Sequence, residues 1–427
     1  MTQSQTFVIV GAGLAGAKAA QTLREEGFDG RVVLVAAESD APYLRPPLSK
    51  EYLTGSAERD SIFVNPAQWY DEHNIELRLG SPATGLNTAA HEVTLGNGET
   101  LKYDKLLLAT GAGSRHLGGP GDQLAGVHYL RTVAESEALR SDLSAGGRRI
   151  VIVGAGWIGL EIASAARGYG NSVTVLGMEE VPLNVALGDE LGAVFGELHR
   201  ENDVNLRMST SVSEIVGADG KVTGVRLPSG ETIPAEVVVV GIGAIPNTEL
   251  ADKAGLEVKN GIVVDESLRS SDPDVYAAGD VANWYHPVLK ERMRVEHWAN
   301  AEHSGPAAAK AMLGQTVSYD DLPYFYTDQF DLGMEYSGYG SRTKNATVVY
   351  RGDKAKREFV AFWVLDGRVV AGINVNVWDV NEAVQKLIRS GARVDAAKLA
   401  DQNVPLEELA AAADSEGQRA GSVAGGE

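Results

Sequence analysis

Two glycine signatures carry the chemistry that this sequence displays most plainly. Phe7 to Val10 runs into Gly11-Ala12-Gly13-Leu14-Ala15-Gly16, and Ile150 to Val153 runs into Gly154-Ala155-Gly156-Trp157-Ile158-Gly159. Each is an apolar, β-branched run followed by a glycine turn and the start of a helical pattern. The first glycine permits the tight turn, the second lets backbone approach a pyrophosphate, and the third lets helix pack on strand. N–H groups at the start of the helix, which have no partner within it, then face the phosphates. One such match is weak evidence. Two, each after its own strand, point to two bound dinucleotides.

The elements that must position these turns can be read around them. Val32 to Val35 is a second strand after the first helix, and Leu106-Leu107-Leu108-Ala109-Thr110-Gly111 is a strand ending beneath the nucleotide. Asn97-Gly98 and Asp366-Gly367 are hairpin signals between alternating runs. The same order restarts near 148, with Ser172 to Leu176 as second strand and Val237 to Val240 closing on Gly241-Ile242-Gly243. Val275 to Asp280 is a further strand-and-turn signal in a stretch that returns to the first domain. Beyond 326 the texture changes to short alternating strands and one helix, about 380–390. The last residues, 411–427, are rich in Ala, Gly, Ser and Glu without hydrophobic periodicity and read as a disordered tail. The fold class is α/β, with two Rossmann-like dinucleotide-binding domains and a C-terminal α+β domain.

Composition narrows the function. The chain has 427 residues, a formal charge of −20 and no cysteine. The charge argues against non-specific nucleic-acid or anionic-membrane binding, which needs clustered cations. No run approaches the ~20 apolar residues of a membrane helix. The apolar N-terminal run reads straight into a glycine turn, as a core strand rather than a signal peptide, so a cytoplasmic protein is expected. Without cysteine there is no disulfide, thiolate metal site or dithiol relay, and no metal site is expected.

In family order, VIVGAGLAG, PYLRPPLSK (42–50), LLLATGA (106–112), VIVGAGWIGLE (151–161), GIGAIPNTELA (241–251), VYAAGDVA (275–282) and VEHWANA (295–301) span nearly the whole chain. In these segments the sequence resembles the FAD-dependent ferredoxin reductases of bacterial oxygenase systems. The resemblance implies an FAD domain over 1–115 and 245–325, interrupted by an NAD(H) domain over 116–244, then an interface domain over 326–410. It also implies NADH as donor, with NADPH open, and a small iron–sulfur protein, a [2Fe–2S] ferredoxin or a rubredoxin, as acceptor. The expected assembly is a monomer or homodimer.

Gly11, Gly13, Ala15 and Gly16 are then expected at the FAD pyrophosphate. Glu38, 22 residues after Gly16, is placed to accept from ribose hydroxyls; otherwise it is a solvated loop charge. In the proline segment the resemblance puts Arg45, Pro46 and Lys50 at the flavin, where a cation stabilises the reduced ring. As structure alone, the prolines fix an extended segment and need no ligand. Ala83, Ala109, Thr110, Gly111, Arg115 and Arg131 are expected to line the same cofactor, with Gly279 and Asp280 at its ribityl-phosphate part and Glu296, His297 and Trp298 past the flavin pyrimidine. His297 is given no acid–base role, since hydride transfer between cofactors needs alignment and a dry site. Gly154, Gly156, Ile158, Gly159, Gly241 and Gly243 are expected at the nicotinamide dinucleotide. Glu161 resembles a family glutamate at its nicotinamide end; its alternative is an early-helix charge favouring the N-terminal dipole.

Two positions depart from the family pattern. Gly177 follows the strand Ser172–Leu176 where an NAD-selective member carries an acidic residue; Glu179 and Glu180 come slightly late. No Lys or Arg occurs from Asn171 to His199, which favours NADH over NADPH. Tyr326, in Pro323-Tyr324-Phe325-Tyr326, stands where the family often has a tryptophan between flavin and partner. It is either part of an electron path or a packed aromatic. Lys50, Glu161 and Tyr326 are therefore the candidate catalytic residues. Other readings stay open: an oxidase or quinone reductase, and a redox-sensing flavoprotein of the apoptosis-inducing-factor kind. Thiol-dependent disulfide reductases are excluded.

Overall fold

The computed structural model describes residues 5–413 and 415. Two five-stranded parallel sheets dominate it, each built around one of the glycine-signature strands. In the first, Thr6–Val10 lies between Arg31–Val35 and Lys105–Leu108, with Ile75–Arg78 and Val275–Ala277 outside them. In the second, Arg149–Val153 lies between Ser172–Leu176 and Val237–Val240, with Val204–Arg207 and Val127–His128 at the edges. The strand cores are apolar on both faces: Val8, Ile9, Val33, Leu34, Ile152 and Val237 are fully buried. Such runs belong in sheets covered by helices on both sides.

The chain gathers into two compact units. One comprises 1–117, 129–140 and 242–321; the other comprises 118–128, 141–241 and 322–427. The first unit contains the first parallel sheet, and the helix Trp298–Met312 packs there on Leu14–Glu25. The second unit holds the second parallel sheet together with an antiparallel sheet. That sheet runs Tyr324–Gln329, Leu332–Gly338, Arg368–Val375, Glu358–Leu365, Thr347–Asp353. Asp366 and Gly367 turn its central hairpin with φ of 50° and 74°, the left-handed pair that such a turn needs. The helix Asn381–Ser390 lays Ala383, Val384, Leu387 and Ile388 against the sheet.

One expectation fails at the C-terminus. Residues 406–413 form a helix with Leu406, Ala410 and Ala413 buried, so order extends into the segment expected to be a disordered tail. Pro405 followed by Glu407 and Glu408 is a helix start, and burial of the alanine face supplies the stability that composition hid. The rest of that expected tail, 414 and 416–427, lies outside the described residues. Among the described residues no helix is long and apolar enough to cross a membrane.

Candidate functional site

The two glycine turns have the same geometry. Gly11 and Gly154 have φ of 112° and 114°, a region that other residues adopt only under strain. A Cβ at Gly16 would lie 1.9 Å from the Gly11 carbonyl oxygen, and one at Gly159 would lie 2.1 Å from that of Gly154. These four glycines answer demands of the protein's own backbone. Gly13 and Gly156 differ, because a Cβ there would meet nothing within 4 Å. Each is the N-cap of its helix, with extended backbone and no side-chain hydrogen bond closing the first turn. Each helix start is thus an open, positively polarised cradle for a phosphate.

Around the first cradle the remaining residues form a charged network. Arg131 donates to Asp280 at 2.5 Å, and the Arg131 Nε–H is buried without a partner. An orphaned guanidinium N–H beside an open cradle suits an anionic ligand. Asp280 is itself buried; its turn is held by Gly279 donating to Ser304 Oγ at 2.9 Å. Gly111, with φ of 66°, brings its backbone within reach of Arg131: a Cβ there would lie 3.7 Å from Nη2. Glu38 accepts from Tyr43 at 2.5 Å and from Arg45 at 3.0 Å, and Arg45 also donates to the Arg131 carbonyl. Burial beside Glu38 raises the Tyr43 phenol well above its ordinary range. Glu38 and Arg45, expected at opposite ends of the cofactor, therefore hold each other.

Other expected residues have mainly backbone roles. Thr110 donates to the Asn247 carbonyl at 2.7 Å, and the Asn247 amide returns a bond to the Thr110 carbonyl at 2.8 Å. Arg115 is exposed, and its backbone N–H donates to the Gly243 carbonyl at 2.9 Å. Ala109 continues the strand Lys105–Leu108, its N–H donating to the carbonyl of Val10 on the central strand. Ala83 starts a strand paired with Glu92–Leu95. Ala15 is buried, with its backbone against Gly305. Pro46 opens the short turn Pro46–Ser49, and half-buried Lys50 links it to Glu51–Thr54 above a cluster of Tyr43, Leu48, Tyr52, Ile62 and Val133. Glu296 accepts from Arg294 at 2.6 Å, His297 caps the helix that Trp298 begins, and burial pushes His297 down to about 4.

In the second unit Ile158 is exposed beside its cradle. Gly241 donates to the Val153 carbonyl at 2.8 Å, and a Cβ there would lie 3.7 Å from the Gly159 nitrogen. The departure at Gly177 has a steric cause. A Cβ at 177 would lie 2.5 Å from Met208 Cε and 2.9 Å from Ala155 Cβ, so Met208 fills the room that an acidic side chain would need. Glu179 and Glu180 are exposed just beyond. Strand pairing brings Arg207 beside Leu176, a cation that the local sequence window does not contain, but both its Nη atoms bond Glu231, at 2.6 and 2.9 Å.

Glu161 is buried in the helix Trp157–Gly168 and accepts from the Thr327 hydroxyl at 2.6 Å. The strand Tyr324–Gln329 lies along this helix with alternate residues toward it. Phe325 meets Trp157 at 5.0 Å between ring centroids, Thr327 meets Glu161, and the Phe330 N–H donates to Ser164 at 2.8 Å. Phe325, Thr327 and, just past the strand end, Phe330 thus meet helix positions four and three residues apart. Tyr326, between Phe325 and Thr327, belongs to the other face and is half-buried. Behind Thr327, Gln329 donates to its hydroxyl at 3.2 Å, and His199 Nε2 pairs with Gln329 Oε1 at 2.9 Å. Thr327, Gln329 and His199 escaped sequence reasoning; the polar alternation after Phe325 was the available signal.

Two Rossmann sheets, each presenting an uncapped glycine cradle in a chain without a thiol, define an oxidoreductase that works with two dinucleotides. The chain belongs to the pyridine nucleotide-disulphide oxidoreductase family, matched over residues 5–305, followed by a reductase C-terminal domain over 324–410. It is 42% identical to the anthranilate 1,2-dioxygenase system ferredoxin–NAD(+) reductase component of Burkholderia cepacia, over 94% of this chain and 98% of that one. Rhodocoxin reductase of Rhodococcus erythropolis is 39% identical, over 94% and 93%. Among solved structures, a covalent putidaredoxin reductase–putidaredoxin complex matches with a TM-score of 0.92 and 34% identity, over 96% of this chain and 99% of that one. FAD fits the first cradle on the evidence of the open space over Gly13 and the orphaned Arg131 N–H, and a nicotinamide dinucleotide fits the second over Gly156.

Proposed function

We propose that this protein is an FAD-dependent NADH:ferredoxin reductase that supplies electrons to an oxygenase system in the cytoplasm. The observation that carries the reading is the pair of matched cradles, each open over its middle glycine, in a chain with no cysteine to relay electrons. FAD, when bound, supplies the conversion between a two-electron hydride donor and a one-electron acceptor. The protein's residues bind and orient. Gly11, Gly13 and Gly16 seat one pyrophosphate; Arg131, paired with Asp280, sets a cation beside it. Gly154, Gly156 and Gly159 seat the other. Lys50 sits at the flavin, Glu161 at the nicotinamide end, and Tyr326 on the path to the acceptor. The domain reading is 1–115 with 245–325 for FAD, 116–244 for NAD(H) and 326–410 for the C-terminal domain.

NADH is the preferred donor. Met208 explains how an acidic residue can be missing at 177 without a basic one replacing it, and Glu231 occupies the neighbouring Arg207. The acceptor is a small iron–sulfur protein. The test is an anaerobic titration of the flavin absorbance with NADH and then NADPH, followed by cytochrome c reduction with and without a [2Fe–2S] ferredoxin. Stoichiometric bleaching by NADH and a large ferredoxin-dependent rise in cytochrome c reduction are expected. Fast oxygen or quinone reduction with no ferredoxin dependence overturns the assignment of the acceptor.

A further inference from the structure

Three polar side chains buried in succession behind Glu161 have no part in either cradle. Thr327, Gln329 and His199 are 1%, 0% and 0% exposed. Burying such groups is costly unless they are hydrogen-bonded. Here the bonds run one way. The Gln329 carbonyl oxygen accepts from His199, so His199 Nε2 carries the proton. The Gln329 amide donates to Thr327, and the Thr327 hydroxyl donates to Glu161 Oε1. Every donor points toward the carboxylate. His199 stays neutral because burial pushes it down to about 4, so the direction of the chain holds at ordinary pH. The strand carrying Thr327 and Gln329 is also fixed to the Glu161 helix on either side, through Trp157–Phe325 and Ser164–Phe330.

We infer that Thr327, backed by Gln329 and His199, is a positioning residue that holds the Glu161 carboxylate in its orientation toward the nicotinamide dinucleotide. The inference rests on the reading of Glu161 at the nicotinamide end. It gives the segment after Pro323 a part in the donor site besides its place in the antiparallel sheet. Glu161 accepts a directed bond from a strand clamped to its own helix, so its rotamer is set by a residue 166 positions away in sequence.

The test is calorimetric titration of NAD+ into the FAD-loaded protein, with melting curves on every variant. Thr327→Val should weaken NAD+ binding about tenfold, the scale of a lost hydrogen bond to a charged group. Thr327→Ala serves where the valine does not fold. Thr327→Ser keeps the hydroxyl and should bind within about twofold of the parent. On a Glu161→Ala background, where the acceptor of the Thr327 hydroxyl is gone, Thr327→Val should add nothing, because the two changes remove one interaction. Additive losses overturn the inference. So does a silent Thr327→Val beside a weakened Glu161→Gln, which leaves the reading of Glu161 standing. If Glu161→Gln binds normally, that reading and the inference both fall, whatever Thr327→Val does.

Discussion

Replacing Gly156 with alanine tests the proposed donor site separately from the proposed flavin site. At Gly156 φ is −85° and ψ is −175°, a conformation that alanine adopts freely, and its Cβ would meet no protein atom within 4 Å. The intrinsic cost is that of alanine for glycine at an N-cap, at most about 1 kcal/mol. The methyl group nevertheless stands in the space that a pyrophosphate must enter. Losing two backbone contacts to phosphate at about 1.5 kcal/mol each removes about 3 kcal/mol, roughly a hundredfold in NADH affinity. Gly159→Ala is the contrasting case. Its Cβ would lie 2.1 Å from the Gly154 carbonyl oxygen, so backbone must move, at a cost of about 3 kcal/mol or more in a protein whose whole stability is about 5–15 kcal/mol. Gly156→Ala should therefore purify yellow, melt within a few degrees of the parent and need about a hundredfold more NADH for half-bleaching. Gly159→Ala should melt far lower. The same contrast holds for Gly13→Ala, which should fold but lose flavin, and Gly16→Ala, which should fold poorly. Normal NADH affinity in Gly156→Ala, or full flavin content in Gly13→Ala, would refute the claim that these openings seat the phosphates.

Three further outcomes can be checked. Gly177→Glu alone should destabilise by about 1–3 kcal/mol through collision with Met208 and Ala155, and adding Met208→Ala should restore the melting temperature and widen the preference for NADH over NADPH; no rescue by the second change sinks the steric account. Arg131→Met leaves Asp280 buried without its cation, which should cost about 2–3 kcal/mol after discounting for the partial exposure of Arg131, and should lower flavin retention as read by absorbance. His199 and His297 are each pushed from an ordinary 6.5 down to about 4, so the unfolded chain binds more protons between those values. Stability then falls as pH drops from 6.5 to 4, by up to about 3 kcal/mol per histidine, and His199→Gln should flatten the melting-temperature profile in that window; an unchanged profile would mean that His199 is already charged.

The parts of this molecule legible in its sequence are those whose causes are local. Gly11 and Gly16 announce themselves because a turn and a strand–helix contact five residues apart need them, and strands such as Arg149–Val153 announce themselves as apolar, β-branched runs. What stayed hidden joins distant positions. Arg131 and Asp280 are 149 residues apart, Glu161 and Thr327 are 166 apart, and neither pairing has a local signature. Gly177 reads as a missing carboxylate until Met208, brought beside it by strand pairing, shows what fills the space. The helix over 406–413 was masked by an alanine-rich texture, since burial of Ala410 and Ala413 depends on what they pack against.

The surroundings of the two cradles differ where their glycines do not, and the difference bears on how each nucleotide is used. Ala15, second residue of the first cradle's helix, is 5% exposed because Trp298–Met312 crosses the helix there, with Gly305 close enough that a Cβ on it would lie 2.2 Å from the Ala15 carbonyl oxygen. Its counterpart in the second cradle, Ile158, is 43% exposed. A phosphate seated on the first turn is backed by a helix pair packed at backbone distance, which resists the opening motions by which a ligand escapes. The second turn stands at a helix end with solvent beside it. A resident cofactor suits the first and an exchanging one the second. Identical glycine spacing thus gives both turns the same backbone, while a glycine almost 300 residues downstream, at 305, admits the close helix packing behind the first.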